Sequence, residues 1–240
     1  MPVSSNKKDW SCFKDTDLYR FLFKSFALTR NKEYVYTFFI GINEDDILFM
    51  NDEVQSEITQ FISTMKNTEI FFYKFGNKYK ENPCYIWNEL YKIALSSVNN
   101  KYFIQISSDI EILDGNWMYN SIKKLKKKND LGVIGFNDFR RKEIDINNIL
   151  FTQTIVSRKH FDIFGFYFPP ELESWYNNNW ISDIYNLYKL NQTIHNRIIS
   201  WSPESTPICL EDCYTIHMDC YNKYIICKDK YSSVIKTYTD

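Results

Sequence analysis

The stretch "KYFIQISSDIEILDGNW", Lys101–Trp117, decides how the chain is read, because an apolar run ends in an acidic knot just where a chain should turn. Tyr102, Phe103, Ile104 and Ile106 are aromatic or β-branched, and so short a run reads as a buried strand. Asp109, Glu111 and Asp114 crowd its C-terminal end, and Gly115 punctuates the turn. Ligands of open α/β sheets lie at the carboxyl ends of strands, so the place suits a site. Periodicity alone favours the plainer reading of a polar loop closing a strand.

Elements alternate around this stretch. Apolar residues recur at helical spacing from Asp17 to about Leu28, and "YVYTFFIGINEDD" reads as a strand ending at Gly41 with acids beyond. "EVQSEITQFISTM" is an amphipathic helix and "EIFFYKF" a second strand. "PCYIWNELYKIALSSV" begins with Pro83 at a helix start and keeps an apolar stripe. After the quoted stretch, "NWMYNSIKKLKKK" is a helix and "LGVIGF" a short buried strand. The alternation predicts an α/β fold with a largely parallel sheet. From Phe151 to Tyr188 the aromatic- and amide-rich sequence reads as strand, short helix, loop, helix. From Trp201 on there is no clear period, and short strands or an excursion over the sheet are expected. No repeat or linker breaks the 240 residues, so one domain is expected.

Charge narrows the function. Lys and Arg total 29 against 30 Asp and Glu, a net charge of −1. The run Lys123 to Lys128 reads as a solvated helix face, and nucleic-acid binding is not expected. No stretch approaches the roughly 18 consecutive apolar residues of a membrane span. "MPVSSNKKDW" has no apolar segment of a signal peptide, and the six cysteines form no CxxC pair. A reduced, cytoplasmic location is expected.

Several blocks carry a resemblance. "PVSSNKKDW", "FFIGINEDD", "IWNELYKIA", "YFIQISSDIEI", "GVIGFND" and "FTQTIVSRKHFDIFGFYFPPELESWYNNNWISDIY" occur in the order seen in a nucleotide-sugar glycosyltransferase family of large DNA viruses and algae. That family includes a domain of the chlorovirus capsid-glycan glycosyltransferase. The likeness covers roughly Pro2 to Tyr188, and the long last block is its specific part. It implies a GT-A fold, Rossmann-like, with a mostly parallel central sheet flanked by helices. In that frame residues 1–240 are a single GT-A domain with its first strand apparently truncated and 201–240 a C-terminal extension.

The resemblance also implies a chemistry: transfer of a sugar from a UDP-sugar to a glycan acceptor, with Mn²⁺ or Mg²⁺ on the diphosphate. A nucleoside diphosphate leaving group gains negative charge as the glycosidic bond breaks, and a cation with oxygen ligands stabilises that charge. Asp109 fits the metal-binding carboxylate, with Glu111 through water. Ser107 and Ser108 stand where relatives often carry an acid. His217 is the candidate for a C-terminal metal ligand by its order along the chain. Pro2, Ser4, Ser5 and Asn6 match the first loop against the nucleotide, and Asn43 and Asp46 match the base and ribose end of the next strand. Asn88 in "IWNELYKIA" joins the nucleotide set.

On the acceptor side, Asn178 and Asn179 stand where the family carries an acidic pair. An amide cannot take the acceptor hydroxyl's proton. Asp183, Glu171 and Glu173 are nearby substitutes, and a retaining mechanism needs no such base. Trp175, Tyr176 and Trp180 suit sugar stacking or, for Trp180 equally, core packing. Arg158 and His160 are expected to shape the acceptor loop. Two rivals remain open. One is a degenerate transferase that binds nucleotide or glycan without turnover. The other is a zinc-stabilised interaction domain on Cys209, Cys213, His217 and Cys220, whose spacing is looser than standard zinc ribbons.

Overall fold

The computed structural model describes residues 1–80, 82–138, 150–201 and 210–239, with the backbone alone at 137, 192–197, 200 and 210–218. The chain opens with a two-residue strand β1 (Pro2–Val3), a 3-10 turn at Phe13–Asp15 and a π-helical stretch at Leu18–Phe23 that runs into α1 (Lys24–Thr29). β2 (Tyr36–Asn43), α2 (Asp52–Ser63), β3 (Thr68–Phe75), α3 (Pro83–Leu95) and β4 (Tyr102–Gln105) follow. Local chemistry sets the helix starts. Asn51 caps α2 by accepting from Glu53 N at 2.7 Å, and Val54, Ile58 and Ile62 form its buried stripe. Asn82 caps α3 by accepting from Tyr85 N at 2.9 Å, and Pro83 supplies a first residue whose missing N–H has no helical partner anyway.

The sequence places the end of β2 at Gly41, but the strand continues to Asn43. Gly41 is there for proximity: a Cβ on it would lie 2.6 Å from the Ile86 side chain, so its absence lets α3 settle on β2. The acidic stretch also differs from a simple loop. The chain turns at Ser108 and Asp109, then forms β5 (Ile110–Ile112) before α4 (Trp117–Lys126).

β6 (Val133–Asp138), β7 (Thr154–Ser157), α5 (Lys159–Phe164), α6 (Asn177–Asn186), β8 (Asn191–Ser200) and α7 (Leu210–Lys236) complete the fold. β1, β2 and β3 make an all-parallel sheet in which Pro2 pairs with Gly41 and Tyr36 with Thr68. The second sheet has the order β4–β7–β6–β8–β5. Its β6–β8 pair is parallel, and the other three pairs are antiparallel. The fold is thus α/β with a parallel sheet and flanking helices, as expected. β8 was not foreseen, because "NQTIHNRIIS" is mostly polar and carries no strand pattern.

Both faces of the β layer are covered. Ile40, Ile42, Ile106, Ile134 and Ile155 pack with Leu22, Phe26, Ile58 and Trp117 on one side. Phe103, Val133 and Val156 pack with Tyr91, Phe164, Trp180 and Tyr185 on the other. Adjacent residues such as Val133 and Ile134 serve opposite cores, which is why these strands read as unbroken apolar runs.

The expectation for residues 201–240 is corrected by α7, which packs on α5 and α6. Its buried residues Tyr224, Cys227 and Ile235 keep helical spacing, but so sparse a stripe of tyrosine and cysteine gives little periodic signal. Among the described residues no helix is long and apolar enough to cross a membrane.

Gly135 faces the Phe151 ring so closely that a Cβ would fall 1.8 Å from it. Gly135→Ala should therefore destabilise the fold by about 1–3 kcal/mol through overpacking, read as a lower urea midpoint with an unchanged slope.

Candidate functional site

The carboxyl ends of β1 and β2 lie side by side in parallel, and the loop after β1 folds over them. Asp46, almost fully buried, fastens that loop: its carboxylate accepts from Ser5 N at 2.6 Å and from Ser5 Oγ at 2.8 Å. The same carboxylate accepts from Phe49 N at 2.9 Å. Ser4 Oγ accepts from Asn6 N at 3.1 Å, and Lys7 turns the loop with φ 59°. Beside this clamp the side-chain oxygen of Asn43 is buried with no hydrogen-bond partner among the described residues. Native interiors rarely leave such an acceptor unpaired, so it marks a place where a donor is expected. The other acids of this turn are engaged. Glu44 accepts from Asn77 N at 3.2 Å, and Asp45 pairs with Lys80 at 2.8 Å.

The Ser107–Glu111 segment joins the same core as β1 and β2, since Ile106, Ile110 and Ile112 pack with Met1, Val3, Ile40 and Ile42. Ser107 is held twice by Gln153, its N–H at 2.8 Å and its hydroxyl at 3.3 Å. Ser108 and Asp109 form the half-buried turn. Trp201, which sequence reasoning did not single out, lies across this segment. Its backbone N–H donates to Asp109 O at 3.0 Å, and its indole N–H donates to Glu111 Oε2 at 3.0 Å. Its ring stacks on Phe21 with centroids 5.0 Å apart. The only hint in the sequence is an aromatic residue directly after "RIIS".

The block expected on the acceptor side is tied to this turn. Ser182 Oγ donates to Asn178 O at 2.7 Å and accepts from Phe151 N at 2.9 Å. Phe151 lies two residues before the Gln153 that holds Ser107. The Asn178 side-chain oxygen and the Thr152 hydroxyl are both buried, with no hydrogen-bond partner among the described residues. Asn179 is half-buried at the start of α6. Trp175 is 41% exposed, and Tyr176 stacks on Tyr224 at 5.5 Å.

Other expected residues are bound into the scaffold. Asn88 holds the backbone of Tyr167 and Phe168, accepting both N–H groups at 2.9 and 3.0 Å and donating to Phe168 O at 2.8 Å. Arg158 reaches the carbonyls of Leu95, Ser97 and Asn100 at 2.7–3.1 Å, closing the C-terminal end of α3. Trp180 is fully buried, so its ring packs against protein and not against a sugar. Asp183 accepts from Lys228 at 3.0 Å and from the Tyr224 hydroxyl, and Glu171 accepts from Lys230 at 2.7 Å. Both carboxylates therefore dock α7.

Among the described residues no three His, Cys, Asp or Glu side chains gather as a metal site. The side chain of His217 lies outside the described residues, as do Cys209 and the side chain of Cys213, while Cys220 is a free thiol.

No protein-family model matches the chain, and no curated protein is significantly similar to it. Crystal structures of S. aureus TarS are similar in outline. For TarS 1-349 the TM-score is 0.45 at 14% identity, over 80% of this chain and 56% of that one. For TarS 1-349 in complex with UDP it is 0.44 at 12% identity, over 81% and 65%. For a further structure of S. aureus TarS it is 0.48 at 14% identity, over 90% and 37%. This chain thus spans less than two thirds of the length of each. The chemistry of the site follows from this chain's own residues.

His160 is buried in the core between Tyr185, whose hydroxyl is 2.7 Å from Nδ1, and Tyr167 O, 3.0 Å from Nε2. Burial lowers its pKa from 6.5 to about 4, against the raising effect of its backbone hydrogen bonds. The unfolded chain protonates this histidine below about pH 6.5 while the folded one holds it neutral, so its contribution is complete above pH 6.5 and declines as pH falls towards 4. Wild type should lose roughly 3 kcal/mol more than His160→Gln across that window, measured by urea unfolding of both proteins from pH 7 to pH 4.

Proposed function

We propose that the chain is a glycosyltransferase domain that takes a UDP-sugar, with Mn²⁺ or Mg²⁺ on the diphosphate, and passes the sugar to a glycan acceptor. The observation that carries this reading is the side-chain oxygen of Asn43, buried beside the Ser5–Asp46 clamp at the carboxyl ends of parallel strands and without a partner among the described residues. A pyrimidine N–H is a donor of the right kind for it. The loop Ser4–Asn6 offers hydroxyl, amide and backbone groups for ribose and phosphate, and Asp46 acts on the ligand by holding that loop in shape. Ser107 and Ser108 add hydroxyls at the turn.

Mg²⁺ is commonly bound through one or two carboxylates plus substrate phosphates, so a three-residue cage is not required here. Asp109 would hold the ion, with Glu111 oriented by Trp201, and the bound cation would neutralise charge on the departing diphosphate. Trp175 and Tyr176 would offer aromatic faces to a sugar. The glycan's destination on a viral surface belongs to the same proposal and rests on the sequence resemblance alone.

The proton of the acceptor hydroxyl needs a base. Asn178 and Asn179 are amides, and Asp183 is held by Lys228 and Tyr224. This favours a retaining transfer in which a leaving phosphate oxygen takes the proton. The same engagement of Asp183 also favours the second reading, a degenerate domain that binds nucleotide without turnover.

A thermal-shift panel of nucleotides and UDP-sugars, with and without Mn²⁺, tests binding without knowledge of the acceptor. UDP with Mn²⁺ should raise Tm, and Asp109→Asn should abolish the Mn²⁺-dependent part of UDP affinity in a calorimetric titration of protein shown by circular dichroism to keep its fold. Asn43→Leu should weaken UDP binding about tenfold with or without metal, the value of one hydrogen bond to a buried group. Slow hydrolysis of a UDP-sugar that disappears in Asp109→Asn separates the enzyme from the degenerate binder. No stabilisation by any UDP compound at millimolar concentration would sink both.

A further inference from the structure

β3 reads "TEIFFYKF", as apolar as an inner strand, yet none of its aromatic or aliphatic side chains is fully buried. It ends its sheet, and among the described residues no strand pairs with its outer edge. Ile70 and Phe72 turn to the α2 side and pack with the core of Val54, Ile58 and Ile62. Phe71, on the other face, is 46% exposed, although its ring meets that of Phe39 at 6.1 Å. Proteins commonly protect a long apolar edge with a proline or a bulge. β3 has neither, and its register with β2 is unbroken from Thr68 to Phe75.

Backbone direction defines what this edge offers. Tyr36 N donates to Asn67 O and Glu44 N to Phe75 O, both at 2.9 Å. The odd-numbered residues of β3 therefore turn their N–H and C=O groups to β2, and Thr68, Ile70, Phe72 and Lys74 turn theirs outward.

We propose that β3 pairs antiparallel with β3 of a second copy of the chain across a two-fold axis, so that the two parallel sheets become one. A two-fold axis perpendicular to the sheet sets residues of the same face opposite one another. One register gives all four outward residues a partner, and it centres on Phe71. Ile70 then bonds Phe72 of the second copy, Thr68 bonds Lys74, and the two Phe71 rings meet at the axis.

Charge fits this register. α2 carries Asp52 and Glu53 in its first turn and no basic residue in its last, so the negative end of its dipole has no cation of its own. Lys74 alternates with Ile70 and Phe72 and leaves the sheet on the α2 face. Opposite Thr68 of the second copy, just after the end of α2, its ammonium reaches that negative end. Beyond Asp52, the groove between α2 and Phe72 is lined by Gln55, Ser56, Thr59, Gln60 and Ser63, none of which carries a charge to desolvate. A net charge of −1 gives two copies little mutual repulsion.

Sedimentation of the full chain at high micromolar concentration should show a dimer. Phe72→Pro removes an outward N–H and no bond to β2, so it should weaken dimerisation by about tenfold or more with an unchanged circular dichroism spectrum. Cross-linking reads the register. Cα atoms of a non-hydrogen-bonded antiparallel pair lie roughly 4.5 Å apart, within the span of a disulfide. Phe71→Cys should therefore form a covalent dimer on oxidation, above the background of the wild-type cysteines. Glu69→Cys should not, because position 69 of the second copy lies roughly 14 Å away along the strand. A monomer, a dimer that folded Phe72→Pro leaves intact, or equal cross-linking at 69 and 71 overturns the proposal. Should Phe72→Pro lose its fold, the two cysteine variants decide alone.

Discussion

Phe151 donates its backbone N–H to Ser182, and Gln153, two residues on, holds both the N–H and the hydroxyl of Ser107. This short segment gives the start of α6 a defined relation to the acidic turn after β4. Both ends of the link are buried or nearly so, where a lost hydrogen bond leaves a desolvated group behind. The candidate acceptor side and the candidate phosphate side are thereby positioned by one stretch of backbone. The Asn88 side chain performs a similar service one layer away, where it fastens the Tyr167–Phe168 backbone to α3.

The C-terminal helix is bound mainly by burial. The Lys228–Asp183 pair is about 30% exposed on both sides, and such pairs contribute about 0–1 kcal/mol. Burying a large apolar side chain such as Ile235 contributes about 1.5–3 kcal/mol. The ion pairs set where α7 sits along α6, and Tyr224, Cys227 and Ile235 hold it there. One chemical consequence is that Asp183 is committed to this contact. In the transfer proposed above, the leaving group would then have to take the acceptor's proton.

The β layer also shows how two-sided coverage governs the site. Its strands serve a core on each face, so their ends, and not their faces, are left for ligands. Asn43, Ser5 with Asp46, and the Ser107–Glu111 turn all lie at or just beyond strand ends. Trp201 closes over the last of these because β8 pairs with β5 and carries the chain directly back to Asp109.

Most elements of the first half were legible in the sequence. α2 and α3 have caps and an apolar stripe within a few residues of one another, and β2 and β4 are short runs of aromatic and β-branched residues. Local propensity and periodicity determine such elements, and tertiary packing did not overturn them. The acids after β4 and the amides at 178 and 179 were equally visible, because chemical identity does not depend on the fold. Tertiary structure alone decided the rest. A polar segment became the inner strand β8 because β6 and β5 flank it. A stripe of tyrosine and cysteine became a helix because α5 and α6 offered it a surface. Asn88, Arg158, His160 and Trp180 became scaffold, and Trp201 came to the site, because burial and long-range hydrogen bonds are set by residues far away in the chain. A sequence names the groups that can bond, and only the packed chain determines which of them are already engaged.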